Sequence, residues 1–190
     1  GGSTAALASL LGTALTMMVG NLSFGKKSFE TLDESIKVNA KADFDFIKGL
    51  NEELKGLVDE DTKAFNVFME AIKMPKDTEQ DKEIRSKALV KACIYTVEVP
   101  LKVAEKSLLI LRHLSVIARY GNKNSVSDIG VGALLTFAGL EGAVLNVKIN
   151  LPGIADETIK ADAEAKVESF TKEGASLKAD IIRIVEERIG

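Results

Sequence analysis

Two aspartates stand where carboxylates are out of place, and both could move protons. Between residues 36 and 72 apolar side chains recur as Ile36, Ala40, Phe44, Ile47, Leu50, Leu54, Leu57 and Val58, then as Ala64, Phe65, Phe68 and Ile72. Asp61 falls four residues after Leu57 and four before Phe65, so it places a carboxylate on the face of a helix that should be buried. Such a group must be paired, hydrogen-bonded or shifted in pKa, and in a cleft it is a candidate general acid or base. The competing reading is an aspartate at the edge of the stripe, partly exposed or salt-bridged, with Glu60 and Lys63 nearby.

Asp128 opens another helical pattern, where either it or Ser127 can cap the first-turn amides. If Ser127 caps, Asp128 is free to face the groove left by Gly132, Gly139, Gly142 and Ala143. Asn146 and Asn150 continue this face, but Asn146 is five turns beyond Asp128, about 27 Å along the axis. One ligand cannot bridge them on one helix, so they serve different sites or one of them completes a site with another helix or subunit. At the amino end, Gly1, Gly2, Ser3 and Thr4 join flexible glycine to unpaired helix amides, which suits an anion or carbonyl cradle or simple capping by Ser3. Lys26, after Gly25, is a local basic point that could meet a ligand carboxylate or merely be solvated. His113 has no serine or cysteine motif around it, and Cys93 lies among apolar neighbours with nothing basic to activate it, so both read as structural.

The elements that position these residues are helices. The 190 residues are 46% hydrophobic and 28% charged, with 15 Gly, 3 Pro and no Trp, enough to bury the core of one domain spanning 1–190. Periodicity gives about five long helices, roughly 3–22, 31–73, 79–119, 127–149 and 155–189. The breaks fall at Pro75, at Tyr120 to Asn124 and at Asn150 to Gly153, whereas Pro100 lies inside a helix and predicts a kink that frees the Thr96 carbonyl. Short connections imply an all-α, mainly antiparallel bundle. Glycine inside a helix costs about 1 kcal/mol against alanine, so the glycines between Gly130 and Gly142 predict close backbone approach to another helix or a flat ligand.

A formal charge of -3 gives no electrostatic footprint for nucleic acid, and one cysteine with one histidine cannot build a zinc cluster. Single-cysteine usage fits a reducing, cytoplasmic compartment. Residues 1–25 carry no charged side chain, but they are rich in Gly, Ser, Thr and Ala rather than Leu and Ile and lack a basic flank, so a bundle helix is expected rather than a membrane span or signal sequence. The chain opens on Gly1 without Met, so residues are expected upstream.

In order and spacing, these segments resemble the formimidoyltetrahydrofolate cyclodeaminase and methenyltetrahydrofolate cyclohydrolase family over nearly the whole chain. The likeness rests on the run from Gly1 to Ala6, on Lys26, on Asp61, Ala64 and Phe65 followed by Ala71 and Pro75, and on Pro100. Its most distinctive stretch is Asn124 to Ala133, followed by Asn146 and by Asn150 with Leu151. The resemblance implies an all-helical homodimer that binds tetrahydrofolate derivatives, including polyglutamylated ones, as substrate without a metal or other cofactor. It implies either cyclisation of 5-formimidoyltetrahydrofolate with release of ammonia or hydrolysis of 5,10-methenyltetrahydrofolate to the 10-formyl product. Asp61 or Asp128 would be the acid-base group, with the other polarising it. Lys26 would sit near the pterin or glutamate portion. Gly1, Gly2 and Ser3 would orient the ligand, with Asn124, Ser127, Asn146 and Asn150 as further binding residues. The alternative is a non-catalytic helical module whose small-residue faces only make a tight dimer.

Overall fold

The computed structural model describes residues 1–190 and contains helices without strands. They are α1 (Gly2–Ser23), α2 (Lys27–Glu30), α3 (Glu34–Lys73), α4 (Glu79–Tyr120), α5 (Val126–Asn150) and α6 (Glu157–Ile189), with 3-10 turns at Lys123–Ser125 and Leu151–Gly153. The five long elements match the periodicity to within a few residues. The exception is the start of α3: residues 31–33 lie outside it, and Lys27–Glu30 forms a separate turn. An aromatic anchor explains the break. Phe29 is buried, its ring edge-on to Phe24 at 5.1 Å, and Phe24 meets Phe44 of α3 edge-on at 5.0 Å.

Cross-helix pairs fix the directions. Ser3 meets Asp61 while Gly20 meets Phe44, so α1 and α3 are antiparallel. Lys106 pairs with Glu53 and His113 with Asp43, which makes α3 and α4 antiparallel. The Asp43 contact, with Phe46 against the imidazole at 4.5 Å, gives His113 its structural role. α5 runs against both α1 and α4, and α6 runs back along α5, with Gly174 against Leu140 and Gly130 against Val185.

The α1–α5 seam is where the helix glycines act. A Cβ on Gly132 would lie 2.9 Å from the Gly12 carbonyl oxygen, and one on Gly12 would lie 2.5 Å from that of Gly132. A Cβ on Gly139 would lie 2.6 Å from the Ala5 carbonyl oxygen. Backbone cannot yield as a side chain can, so this approach requires glycine. Gly130 is different: it faces α6, so the glycines do not all serve one face. Both helices are long and apolar enough to span a membrane, yet each buries its small-residue side in the bundle.

Neither Ser127 nor Asp128 caps α5. The helix starts at Val126, and the capping hydrogen bond is made one turn earlier, where Asn122 Oδ1 accepts from the Asn124 amide at 3.0 Å. Elsewhere the caps are conventional: Thr78 and Asp81 form a capping box at α4, and Asp156 accepts from two first-turn amides of α6.

Candidate active site

Asp61 is half-buried and lies across the amino end of α1, where its Oδ2 accepts from the Ser3 amide at 2.7 Å and the Ser3 hydroxyl at 2.8 Å. The carboxylate therefore meets the amino end of a helix and two donors. A Cβ on Gly2 would collide with Asp61 Oδ1, so glycine at that position is what lets the carboxylate approach. The cradle expected from Gly1, Gly2 and Ser3 is thus partly filled by the protein's own side chain, and Ser3 holds Asp61.

A cavity of about 430 Å³ opens beside this contact. Gly1 and Asp61 line it from one side, Asn146 and Asn150 from α5, and Phe65 and Phe68 from α3, with Cys93 and Thr96 of α4 completing the wall. Phe65 is 59% exposed and offers a flat apolar surface next to the carboxylate. Asn146 Nδ2 donates to the Gly142 carbonyl at 2.7 Å. Asn150 Nδ2 donates to the Thr96 carbonyl at 2.9 Å, the carbonyl that Pro100, lacking an N–H, leaves without its helix donor.

Behind the cavity the Tyr95 hydroxyl donates to Glu60, tying α4 to α3. That hydrogen bond, with help from burial, pushes the phenol up to about 12. Burial pushes the Cys93 thiol up as well, consistent with an inert sulfur. No group of three or more His, Cys, Asp or Glu side chains is arranged to hold a metal ion. A larger groove of about 670 Å³ between α5 and α6 carries Lys148, Lys160, Lys172, Glu164 and Glu168, without a carboxylate held as Asp61 is.

Four residues do not join this cavity within one protomer. Lys26, Asn124, Ser127 and Asp128 lie at the opposite end of the α1–α5 pair, where Lys26, Asn124 and Ser127 are exposed and Asp128 is half-buried. Asp61 and Asp128 are therefore not a catalytic pair within a single chain, because antiparallel packing sends the start of α5 to the far end of α1. Sequence reasoning passed over Phe68 and Thr96 as lining residues. Phe68 read as ordinary stripe, and Thr96 was signalled only through Pro100.

The family model described as formiminotransferase-cyclodeaminase matches residues 1–169. Formimidoyltransferase-cyclodeaminase of Gallus gallus is 37% identical over 99% of this chain and 34% of its own length. Methenyltetrahydrofolate cyclohydrolase of Methylorubrum extorquens is 31% identical over 100% of this chain and 89% of its own. The crystal structure of formiminotetrahydrofolate cyclodeaminase from Thermotoga maritima superposes with a TM-score of 0.84 at 24% identity, covering 100% of this chain and 88% of that one, and so shares its fold. The chain spans about a third of the length of its formimidoyltransferase-cyclodeaminase relatives. Over the portion it shares with them, it belongs to the formiminotransferase-cyclodeaminase family.

Proposed function

We propose that the chain is a folate one-carbon enzyme acting at the Asp61 cavity, on 5-formimidoyltetrahydrofolate, 5,10-methenyltetrahydrofolate or both. The observation that carries this reading is the Asp61 carboxylate, held by Ser3 beside an aromatic wall and two asparagines. In cyclisation the N10 lone pair attacks the amidine carbon on N5, N10 loses its proton, and the amino nitrogen leaves as ammonia. With the amidine entering as its protonated amidinium, Asp61 is placed to take the N10 proton of the adduct, to return it to the departing amino nitrogen so that this leaves as neutral ammonia, and to stabilise the methenyl cation that forms. In hydrolysis the same carboxylate takes a proton from the water that adds to the cation and returns it to N5 as the bond from that carbon to N5 breaks, while the hydroxyl proton of the adduct is released to solvent as the formyl C=O forms. Phe65 and Phe68 offer the flat pterin an apolar wall. The test is to supply both folates and follow ammonia release and loss of methenyl absorbance. Turnover of neither removes the reading and leaves the non-catalytic module.

The working unit is a homodimer built on the outer face of α1 and α5. Leu7, Leu11, Met18 and Leu22 of α1 and Val131, Leu134, Leu145 and Ile149 of α5 are exposed, the last at 76%. Two helices of this length present roughly 600–700 Å² per copy, the scale of a stable interface when doubled. A two-fold axis through the middle of the stripe, near Ala138, would set Asp128 of one copy beside Ile149 of the other. Lys26, Asn124, Ser127 and Asp128 would then complete the Asp61 cavity in trans. Mixing Asp61→Asn with Asp128→Asn subunits tests this. Half the dimers become hybrids with one intact site in two, so about a quarter of wild-type turnover returns. No return from two inactive parents overturns completion of the cavity in trans.

A further inference from the structure

We propose that Pro100 is a positioning residue for substrate selection. It strips the Thr96 carbonyl of its helix donor, the Asn150 amide swings onto that carbonyl, and Asn150 Oδ1 is left as a fixed acceptor for an N–H of the substrate. The ligand half of this proposal rests on the folate reading above.

The orientation of Asn150 follows from chemistry. A carbonyl can only accept, so the group 2.9 Å from Thr96 O must be Nδ2, and the other end of the amide is the oxygen. No protein group donates to that oxygen, and it is not a buried atom lacking a partner. Thr96 and Asn150 both line the Asp61 cavity, so the oxygen belongs to its wall. With Ala at position 100, the new backbone N–H would return to the Thr96 carbonyl as an ordinary helix hydrogen bond, and Asn150 would lose its anchor.

The rest of the wall points the same way. Asn146 and Asn150 each commit one Nδ2 N–H to a backbone carbonyl, and Thr96 Oγ1 donates at 2.8 Å to the Cys93 carbonyl. Apart from the Cys93 thiol and the second N–H of each asparagine, the side-chain donors of the wall are occupied by backbone, while its acceptors are the two amide oxygens and the Asp61 carboxylate. Such a wall selects a ligand with an N–H-rich or cationic edge. A neutral acceptor edge in the same place would meet unpaired oxygens. Two parts of a folate carry this chemistry: the amino-pyrimidine edge of the pterin, present in both substrates, and the amidine of the formimidoyl group, absent from the methenyl compound.

The experiment compares wild type, Pro100→Ala, Asn150→Ala and the double variant. Each single change is expected to weaken folate binding about tenfold, and the double variant is expected to be no weaker than either. Pro100→Ala should also raise the melting temperature, since proline is the poorest residue in a helix interior. Weaker binding in a more stable protein separates positioning from damage. Loss confined to the formimidoyl compound assigns Asn150 to the amidine, and equal loss with both assigns it to the pterin edge. Side-chain amide exchange measured by NMR gives an arm that needs no ligand: Asn150 NH2 protons should be protected in wild type and unprotected in Pro100→Ala. Wild-type affinity in Pro100→Ala, additive losses in the double variant, or an unprotected Asn150 amide in wild type each overturns the proposal. A wild type that binds neither folate overturns the folate reading instead, and the orientation of Asn150 then stands or falls on the exchange arm.

Discussion

The two ends of the α1–α5 pair are built from the same ingredients and come out differently. Each has an aspartate near the start of a helix with small or polar neighbours. At the Asp61 end, Gly2 admits a carboxylate to the start of α1, Pro100 releases a carbonyl, and two asparagines on successive turns of α5 line a cavity. At the Asp128 end the spare backbone groups are satisfied by neighbours: the Asn122 amide donates to Ser23 Oγ at 2.7 Å, and Arg188 donates to the carbonyls of Ala118 and Gly121. Asp128 itself makes no hydrogen bond or ion pair. The difference lies in whether polar groups converge on empty space or on each other, and residue type alone does not decide that.

The sharpest way to break the comparison is to remove each carboxylate. Asp61→Asn keeps the size and an acceptor for Ser3 but abolishes the anion, and turnover should fall by about 10²–10⁴, as for loss of a positioned acid-base group. Its melting temperature should move little, since one oxygen can still accept from Ser3. Asp128→Asn should lower turnover only if a second copy brings that end to the cavity. Steady-state rates of the purified variants decide both. Wild-type turnover in Asp61→Asn would mean that the better-built end is only structural.

The seam between the two ends gives the next effect, on stability. Gly139→Val drives a side chain into the Ala5 carbonyl, and such overpacking costs roughly 3 kcal/mol, or about 6–12 °C in melting temperature for a chain of this size. Gly49→Ala is the control: nothing lies within 4 Å of its added Cβ, so the helix should gain about 1 kcal/mol. Calorimetry on the pair separates glycines required by close approach from glycines merely tolerated.

How much of this was legible follows the range of each interaction. The long helices could be read because periodicity and breakers are local, and the tight seam because glycine inside a helix is costly enough to need a reason. Asp61 stood out as a gap in an apolar stripe, but its holder, Ser3, is 58 residues away, and no local pattern links them. Pro100 announced a free carbonyl, while the donor that takes it lies 54 residues further on. That Asp61 and Asp128 do not meet within one chain was hidden for the same reason: each aspartate is conspicuous in its own helix, and only antiparallel packing decides which ends meet. The separate turn at Lys27–Glu30 was hidden because Phe29 reaches the core through contacts with Phe24, not through helical spacing.

The smallest expected effect sharpens the comparison from the alkaline side. Tyr95 and Glu60 clamp the Asp61 end, and the phenol is held up to about 12 by its hydrogen bond to Glu60. The folded state therefore binds that proton more tightly than the unfolded chain, whose tyrosine titrates near 10. The clamp's contribution is complete below about pH 10 and is lost as pH rises from there through about 12, because in that window unfolding releases a proton that folding retains. Wild type should lose stability across this range, and Tyr95→Phe should show a flatter profile with little change near neutrality. Denaturant midpoints of the two proteins from pH 9 upward measure it. Equal alkaline slopes in the two proteins would show that the Glu60 hydrogen bond does not hold the Asp61 end together.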